Sequence, residues 1–597
     1  MTEPVSETTE PLGKQGAPVI KLLKIERFRG IQSLSWQPEP GINVILGGGD
    51  TGKTTILEAI ATLLAPTNST TLSDADYWNR EVAAEFTIEA VMSLPGSVGI
   101  NQQSAMAWPW AWNGKEAVVP DPEAESNPEP VYRLRVRGTS DLELVHEVVQ
   151  PDESVNSFSV GLRRSIGLVR LAGDDRNDRD LRLVYGSALE RLLADKGLRG
   201  RLGKEMARNT VEGILDDEAK KTLSELDSAF QKKQLPSQLG LGLTGSPGFS
   251  VNALVGLTAN KAGVALPLMT WGAGTRRLAS LAIATMQQSL RPITLVDEVE
   301  RGLEPYRQRT LVKSLHGGGS QVFITTHSAA VVSSASNSAL WYLDARCAIG
   351  RLPREKIELQ LKRDPEAFLA KLTIVGEGIT EVGFTLALLG KVLVGAPAEH
   401  GVWVTDGGGH DCTLGLLEAL AAGGVQFGGV VDDENRFPDR WQKVQQKLND
   451  LLFRWKAGCL EATIISLVED DKLEELIKDP KDELTGERLR TLQERLNAGA
   501  KDFASIKAAA GQGLKSLIIA AATGRVPDDK KSEEKAVRKR YEGHAVKWFK
   551  SEEGGRELAE KVFRLGVWPK LESQTLPFLN AVRAAVGLAK VFSLPHE

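Results

Sequence analysis

Gly47-Gly-Gly-Asp-Thr-Gly52-Lys53-Thr54 meets the spacing GxxxxGK[ST], directly after a short apolar run at 41–46 and directly before a helical pattern at 54–64. That placement constrains the chain more than any other feature. Glycines let backbone N–H groups converge on phosphate oxygens, and the helix N-terminus adds positive potential. Lys53 is then expected to reach the β- and γ-phosphates, and Thr54, with Thr55 beside it, to ligate Mg²⁺. A strand, phosphate loop and helix in this order predict an α/β domain.

Two further apolar runs end in chemistry. Ile293-Thr-Leu-Val-Asp297-Glu298 predicts a buried strand closing in two carboxylates, Asp297 to hold Mg²⁺ and Glu298 to polarise an attacking water. Val322-Phe-Ile-Thr-Thr-His327 predicts a second strand ending in a histidine placed to sense a γ-phosphate. Between phosphate loop and acids, Trp271-Gly272-Ala273-Gly274-Thr275-Arg276-Arg277 precedes a long helix. Loop, glycine-rich turn, acidic strand and histidine follow the order of the ABC-type ATPases. The hairpin pattern at 21–36 resembles recombination and repair members of that group rather than transporters. Val299 stands where relatives usually carry Pro, and WGAGTRR is degenerate relative to LSGGQ.

At 597 residues, with about 150 per domain, the chain is expected to hold three or four folding units. Lys+Arg 73 against Asp+Glu 78 gives a net charge of −5, so DNA contact would have to come from local patches. Three cysteines, Cys347, Cys412 and Cys459, lie far apart without CxxC, against a disulfide framework or structural zinc. No run of about 18 apolar residues predicts a membrane span, and residues 1–18 read as a polar, disordered tail. A cytoplasmic protein is expected.

Residues 85–94 and 131–149 read as strands. The Trp- and Pro-rich insert between them reads as a surface loop whose tryptophans plug a local apolar cluster rather than stack on bases. A charged helical pattern at 185–234 predicts a helical arm, and the charge run at 527–550 reads as a solvated helix face or a DNA-facing strip.

From 372 to about 476 strands and helices alternate as in a parallel α/β unit. Ile374-Val-Gly-Glu377-Gly378-Ile-Thr380-Glu381 ends a strand in Glu377, and Glu381 follows one helical turn later. The next strands end in Asp406-Gly-Gly-Gly409 and in Asp432-Asp433-Glu434, with a further strand expected at 461–467 before Glu474. Carboxylates gathered at the C-terminal ends of parallel strands repel unless a cation neutralises them. An Mg²⁺ or Mn²⁺ site is the simplest account.

This second unit resembles a Toprim domain, with Glu377 in place of its strand-end Glu and Asp432-Asp433-Glu434 in place of its DxD. Whether Asp433 or Glu434 supplies the second ligand stays open. An ABC ATPase followed by Toprim, with VGEGITE, resembles the OLD family (overcoming lysogenisation defect) of ATP-dependent endonucleases, which includes the Gabija nuclease subunit. The resemblance implies an α/β architecture: tail 1–18, ATPase parts 19–184 and 241–365, dimerisation arm 185–240, and a Toprim domain with helical additions at 366–597. It implies a DNA-cutting homodimer, sometimes working with a UvrD-like helicase. Its cofactors would be ATP with one Mg²⁺, bound by Gly47, Gly52, Lys53, Thr54, Thr55, Asp297 and His327 and by Gly272, Gly274 and Arg277 across the dimer. Two more ions would sit on Glu377, Glu381, Asp432, Glu434 and Glu474. The catalytic set would be Glu377, Asp432, Glu298 and a lysine, Lys550 or, less favoured, Lys561. The competing expectations are a topoisomerase, for which Tyr541 is the only tyrosine within 366–597, and a DNA-repair clamp without cleavage.

Overall fold

The run Ile42–Leu46 is buried at every position, as a strand covered on both faces must be. In the computed structural model it lies inside a six-stranded sheet. The order is Leu168–Leu171, Ile293–Val296, Val322–Thr325, Ile42–Leu46, Ala339–Leu343, Ile349–Leu352. All neighbours are parallel except the last pair. Parallel order brings the phosphate loop, the acidic strand and the histidine strand to one edge, although about 250 residues separate the first two in sequence. The structure describes residues 16–171, 181–182, 187, 217, 221, 224 and 257–593, except 69, 104–106, 122, 124–127, 262–263, 287–290, 317–318, 425, 434, 456–457, 497–498 and 500–501. The helical arm expected at 185–240 lies outside the described residues but for four of them.

An antiparallel sheet packs over the first half. Val19–Phe28 pairs with Ile31–Trp36 as a hairpin, then with Phe86–Ser93, which pairs with Pro130–Gly138. The insert is more than a loop. Trp110–Trp112 and Ala117–Val118 add strands to Pro130–Gly138, and Trp110 is buried with the Arg133 guanidinium 4.6 Å from its ring centroid. Trp108 beside it stays exposed.

The third sheet is fully parallel, in the order Val402–Asp406, Leu372–Gly376, Gly428–Val431, Leu452–Arg454. Its first strand in sequence is therefore flanked by the second and the third, so connections leave it on opposite sides and open a crevice at its C-terminal end. Glu377 follows that strand directly. Helix Ile379–Leu393 crosses helix Glu552–Arg564 closely enough that a Cβ on Gly383 would strike the Glu552 carbonyl, and one on Gly555 the Thr380 carbonyl.

One expectation fails. Residues 460–467 form a helix, Leu460–Leu467, not a strand; the fourth strand is the shorter Leu452–Arg454. An eight-residue apolar run satisfies either period. The helix wins because the Leu460 amide donates to the Asp432 carboxylate at 3.0 Å, and Leu460, Glu461, Ile464 and Ile465 bury one face. Among the described residues, no helix is long and apolar enough to cross a membrane.

Candidate functional sites

At the first sheet, Gly47 has φ 136° and Gly52 φ 101°, values that side-chain-bearing residues avoid. The loop lies so close to the Leu343 carbonyl that a Cβ on Gly47 would collide with it. Lys53 opens helix Lys53–Leu63 and its Nζ turns back to the carbonyls of Gly47, at 3.0 Å, and Gly48. Burial holds its pKa down to about 8, against the opposing pull of Glu300 and Asp297. Thr54 Oγ1 donates to Asp297 Oδ1 at 3.1 Å, and Thr325 Oγ1 donates to the same oxygen at 2.5 Å. The hydroxyl and carboxylate assigned to Mg²⁺ from sequence thus meet across 243 residues. Thr55 is the third residue of the helix and partly buried.

Glu298 takes the left-handed conformation at φ 48°, its amide held by Thr325 Oγ1 at 2.9 Å and its side chain 43% exposed. A carboxylate left in water beside a buried one suits a water-activating role. His327 is exposed, and its amide donates to Glu300 at 2.6 Å. Partial burial of its ring and then the Lys53 charge lower its pKa. Gly272 is exposed, and Gly274 packs on the Gly302 carbonyl. Arg277 differs from a residue reaching across a dimer. It is 3% exposed and donates to the main-chain carbonyls of Asp297, Glu298 (2.8 Å) and Arg301 (3.2 Å). It ties the glycine-rich turn to the acidic strand within one chain.

At the third sheet, Glu377, Glu381, Asp432 and Glu461 are all buried. Glu377 Oε2 accepts from the Asp432 amide at 3.0 Å, and Glu381 Oε2 accepts from the Gly378 amide at 3.0 Å. Lys550 Nζ lies 3.0 Å from Glu461 Oε1. Burial, then Glu381, Glu377 and Glu461, push Asp432 up to about 9; burial, then Glu461, push Glu381 up to about 7. Lys550, 39% exposed, is raised because its partial desolvation is outweighed by Glu461 and Glu381. Cys459, beside Glu461, is pushed up to about 12 by burial first.

Glu461 is the residue that sequence reasoning missed. It sat in an expected strand, where no face could be assigned to it. Both its carboxylate oxygens are buried and, the Lys550 ion pair aside, accept no hydrogen bond among the described residues. Glu474, named from sequence, is half exposed and pairs with Lys478 at 3.4 Å. Glu434 lies outside the described residues, and Asp433 is taken by Arg454 at 2.9 Å. Lys561 is 1% exposed and bonded to Glu557 at 2.7 Å and to the Lys478 carbonyl at 2.6 Å. Tyr541 lies on the charged helix Lys535–Glu542, which buries no residue, with the Arg495 guanidinium over its ring.

Oxygen-only donors, among them a buried carboxylate short of hydrogen-bond donors, match the chemistry of a hard divalent cation. Among the described residues no three Asp, Glu, His or Cys side chains stand close enough together to hold a metal ion as they are placed.

The units built on the first and third sheets touch. Tyr342, on the strand beside the phosphate-loop strand, donates from Oη to the Ala370 carbonyl at 2.6 Å, just before the Glu377 strand, and its ring lies 4.8 Å from Phe427. Fully buried Asp344 accepts from the Gln426 amide at 3.3 Å, just before the Asp432 strand. Gly48 packs on the Lys371 backbone.

Residues 148–333 match the family described as "AAA domain, putative AbiEii toxin, Type IV TA system", and residues 22–106 match an AAA domain family. No curated protein matches the chain significantly. Similar solved structures include the recombination mediator RecF with ATPrS in the RecFOR pathway (14% identity, TM-score 0.31, 57% of this chain and 99% of that one). Another is the SmcHead bound to the C-winged helix domain of ScpA (15%, 0.34, 57% and 99%). A third is an SMC head domain from Thermotoga maritima (14%, 0.26, 54% and 94%).

Proposed function

We propose that the chain joins its AAA-type P-loop ATPase domain to a Toprim cutting site and acts as an ATP-regulated, metal-dependent DNA endonuclease of the OLD type. The observation that carries this reading is the burial of Glu377, Glu381, Asp432 and Glu461 with Lys550 at the crevice of a fully parallel sheet. Four carboxylates against one ammonium are a costly arrangement for a fold to keep without a use for cations.

On this reading residues 19–184 and 241–365 form the ATPase, 185–240 a dimerisation arm and 366–597 the nuclease, in a homodimer acting on DNA, with a UvrD-like helicase as a partner to test. ATP with one Mg²⁺ occupies the first site. Mg²⁺ or Mn²⁺ would be held at the second by Glu377, Glu381 and Asp432, with Glu461 added to the set expected from sequence; of that set Glu434 lies outside the described residues and Glu474 is half exposed and paired with Lys478. There the ions supply an activated water and charge neutralisation at the phosphate. Glu377 and Asp432 hold each other through the Asp432 amide, which fixes both strand ends. Lys550 places one positive charge over Glu461 and stands ready to offset charge on the phosphate.

The test is nicking of supercoiled DNA by wild type, Glu377→Ala and Glu461→Gln with Mn²⁺ or Mg²⁺. Loss in both folded variants supports the reading; full cleavage by Glu377→Ala removes it. Tyr541, tied to Arg495 on a charged surface helix, does not favour the topoisomerase alternative. Covalent protein–DNA adducts after a denaturing quench would restore it.

A further inference from the structure

Phe437 is a large aromatic kept in an unfavourable place. It is 43% exposed and adopts the left-handed conformation, φ 53° and ψ 50°, immediately before Pro438. Bulky side chains avoid that region. Its carbonyl accepts the amides of Arg440 and Trp441 at 3.1 and 3.2 Å, which anchors it at the start of helix Pro438–Leu448.

The ring belongs to an ordered stack. His410 lies 6.2 Å away at an interplanar angle of 29°. Buried Trp441 donates from Nε1 to His410 Nε2 at 3.1 Å, which makes Nδ1 the protonated nitrogen, directed at Asp411 Oδ1 at 3.2 Å. The imidazole is thereby locked in orientation and tautomer. The guanidinium carbons of Arg436 and Arg440 lie 5.5 and 5.2 Å from the Phe437 ring centroid. Arg436 pairs with Asp411 at 3.0 Å and Arg440 with Glu418 at 2.6 Å, so the flanking charge is largely neutralised. A neutralised cation–aromatic stack grips a phosphate poorly but keeps planar surfaces for a planar ligand.

The stack adjoins the acidic crevice. The Gly409 amide donates to the Glu377 carbonyl at 2.8 Å, and His410 is the next residue. Phe437 follows Asp432 by five positions.

We propose that Phe437, backed by His410 and flanked by Arg436 and Arg440, is a stacking platform for an unpaired DNA base next to the phosphate presented to the acidic crevice. The claim rests on the nuclease reading and deepens it by naming the substrate form. In a duplex both faces of a base are covered by its neighbours, so the platform selects single-stranded, frayed or flipped DNA.

The test uses the full chain with Ca²⁺ replacing Mg²⁺, and fluorescence anisotropy of a labelled 20-nucleotide oligothymidylate, of an abasic strand of equal length, and of a duplex. Wild type is expected to prefer the base-bearing strand over the abasic one. Phe437→Ala is expected to lose about 5- to 100-fold affinity for the base-bearing strand alone, with abasic and duplex binding unchanged. Phe437→Trp restores the preference. Absence of any preference in wild type, or equal loss on all three ligands in Phe437→Ala, overturns the platform. Because binding is read without cleavage, a protein that stacks DNA but never cuts it would refute the nuclease reading and leave the platform standing.

Discussion

Asp432→Asn preserves the side chain's shape and its acceptor toward the Leu460 amide, and removes a carboxylate pushed up to about 9. In an unfolded chain an aspartate titrates near 4. Between those values the folded wild type binds a proton that the unfolded chain does not, so wild-type stability falls as pH rises. One proton is worth about 1.4 kcal/mol per pH unit. The variant is therefore expected to gain on wild type with increasing pH, from nothing near pH 4 to at most roughly 4 kcal/mol at pH 7. Glu381, raised to about 7, adds a contribution of the same sign to the wild-type decline. Thermal unfolding in EDTA at about pH 5, 7 and 8.5, monitored by tryptophan fluorescence, measures the difference. A pH-independent difference, or a variant less stable throughout, would refute strand-end carboxylates held together against their repulsion. Adding Mn²⁺ should reverse the order, because wild type alone retains the full ligand set.

Lys53→Ala should abolish ATP binding in equilibrium dialysis, whereas Glu298→Gln should retain bound ATP with turnover lost. Lys550→Met leaves buried Glu461 without its cation; a loss of about 1–3 kcal/mol is expected in denaturant titration, below the cost of breaking a fully buried pair because Lys550 is 39% exposed. Tyr342→Phe removes the hydroxyl that reaches the Ala370 carbonyl, and should cost about 1 kcal/mol while weakening the effect of ATP on cleavage measured with and without nucleotide.

Much of both sites was legible because strand-end chemistry announces itself locally. The glycines of 47–52, the acids after Ile293–Val296 and Glu377 after Leu372–Gly376 each sit where an apolar run stops. Contacts between distant segments were not legible. Nothing in the sequence pairs Lys550 with Glu461, because the link depends on the crossing of helices Ile379–Leu393 and Glu552–Arg564 and on Thr380 Oγ1 reaching the Phe549 carbonyl at 3.1 Å. Glu461 was hidden for a different reason. Its octapeptide fits both periods, and only the Asp432 carboxylate accepting the Leu460 amide decides for a helix. Arg277 was expected to bind ATP across a dimer, while three main-chain carbonyls of its own chain draw it inward. The contacts of Tyr342, Asp344 and Gly48 with residues 370–371 and 426, which join segments far apart in sequence, were not legible either.

The central claim is that one chain carries two separate chemistries, and conversion of supercoiled plasmid to open circles tests it most directly when four proteins are compared in parallel. Wild type with Mn²⁺ is expected to nick and to stop on addition of EDTA. Glu377→Ala and Glu461→Gln should lose nicking while binding ATP normally, and Lys53→Ala should lose ATP binding while keeping some metal-dependent nicking. Wild type that leaves the plasmid intact, or Glu377→Ala that cuts as well as wild type, would contradict it.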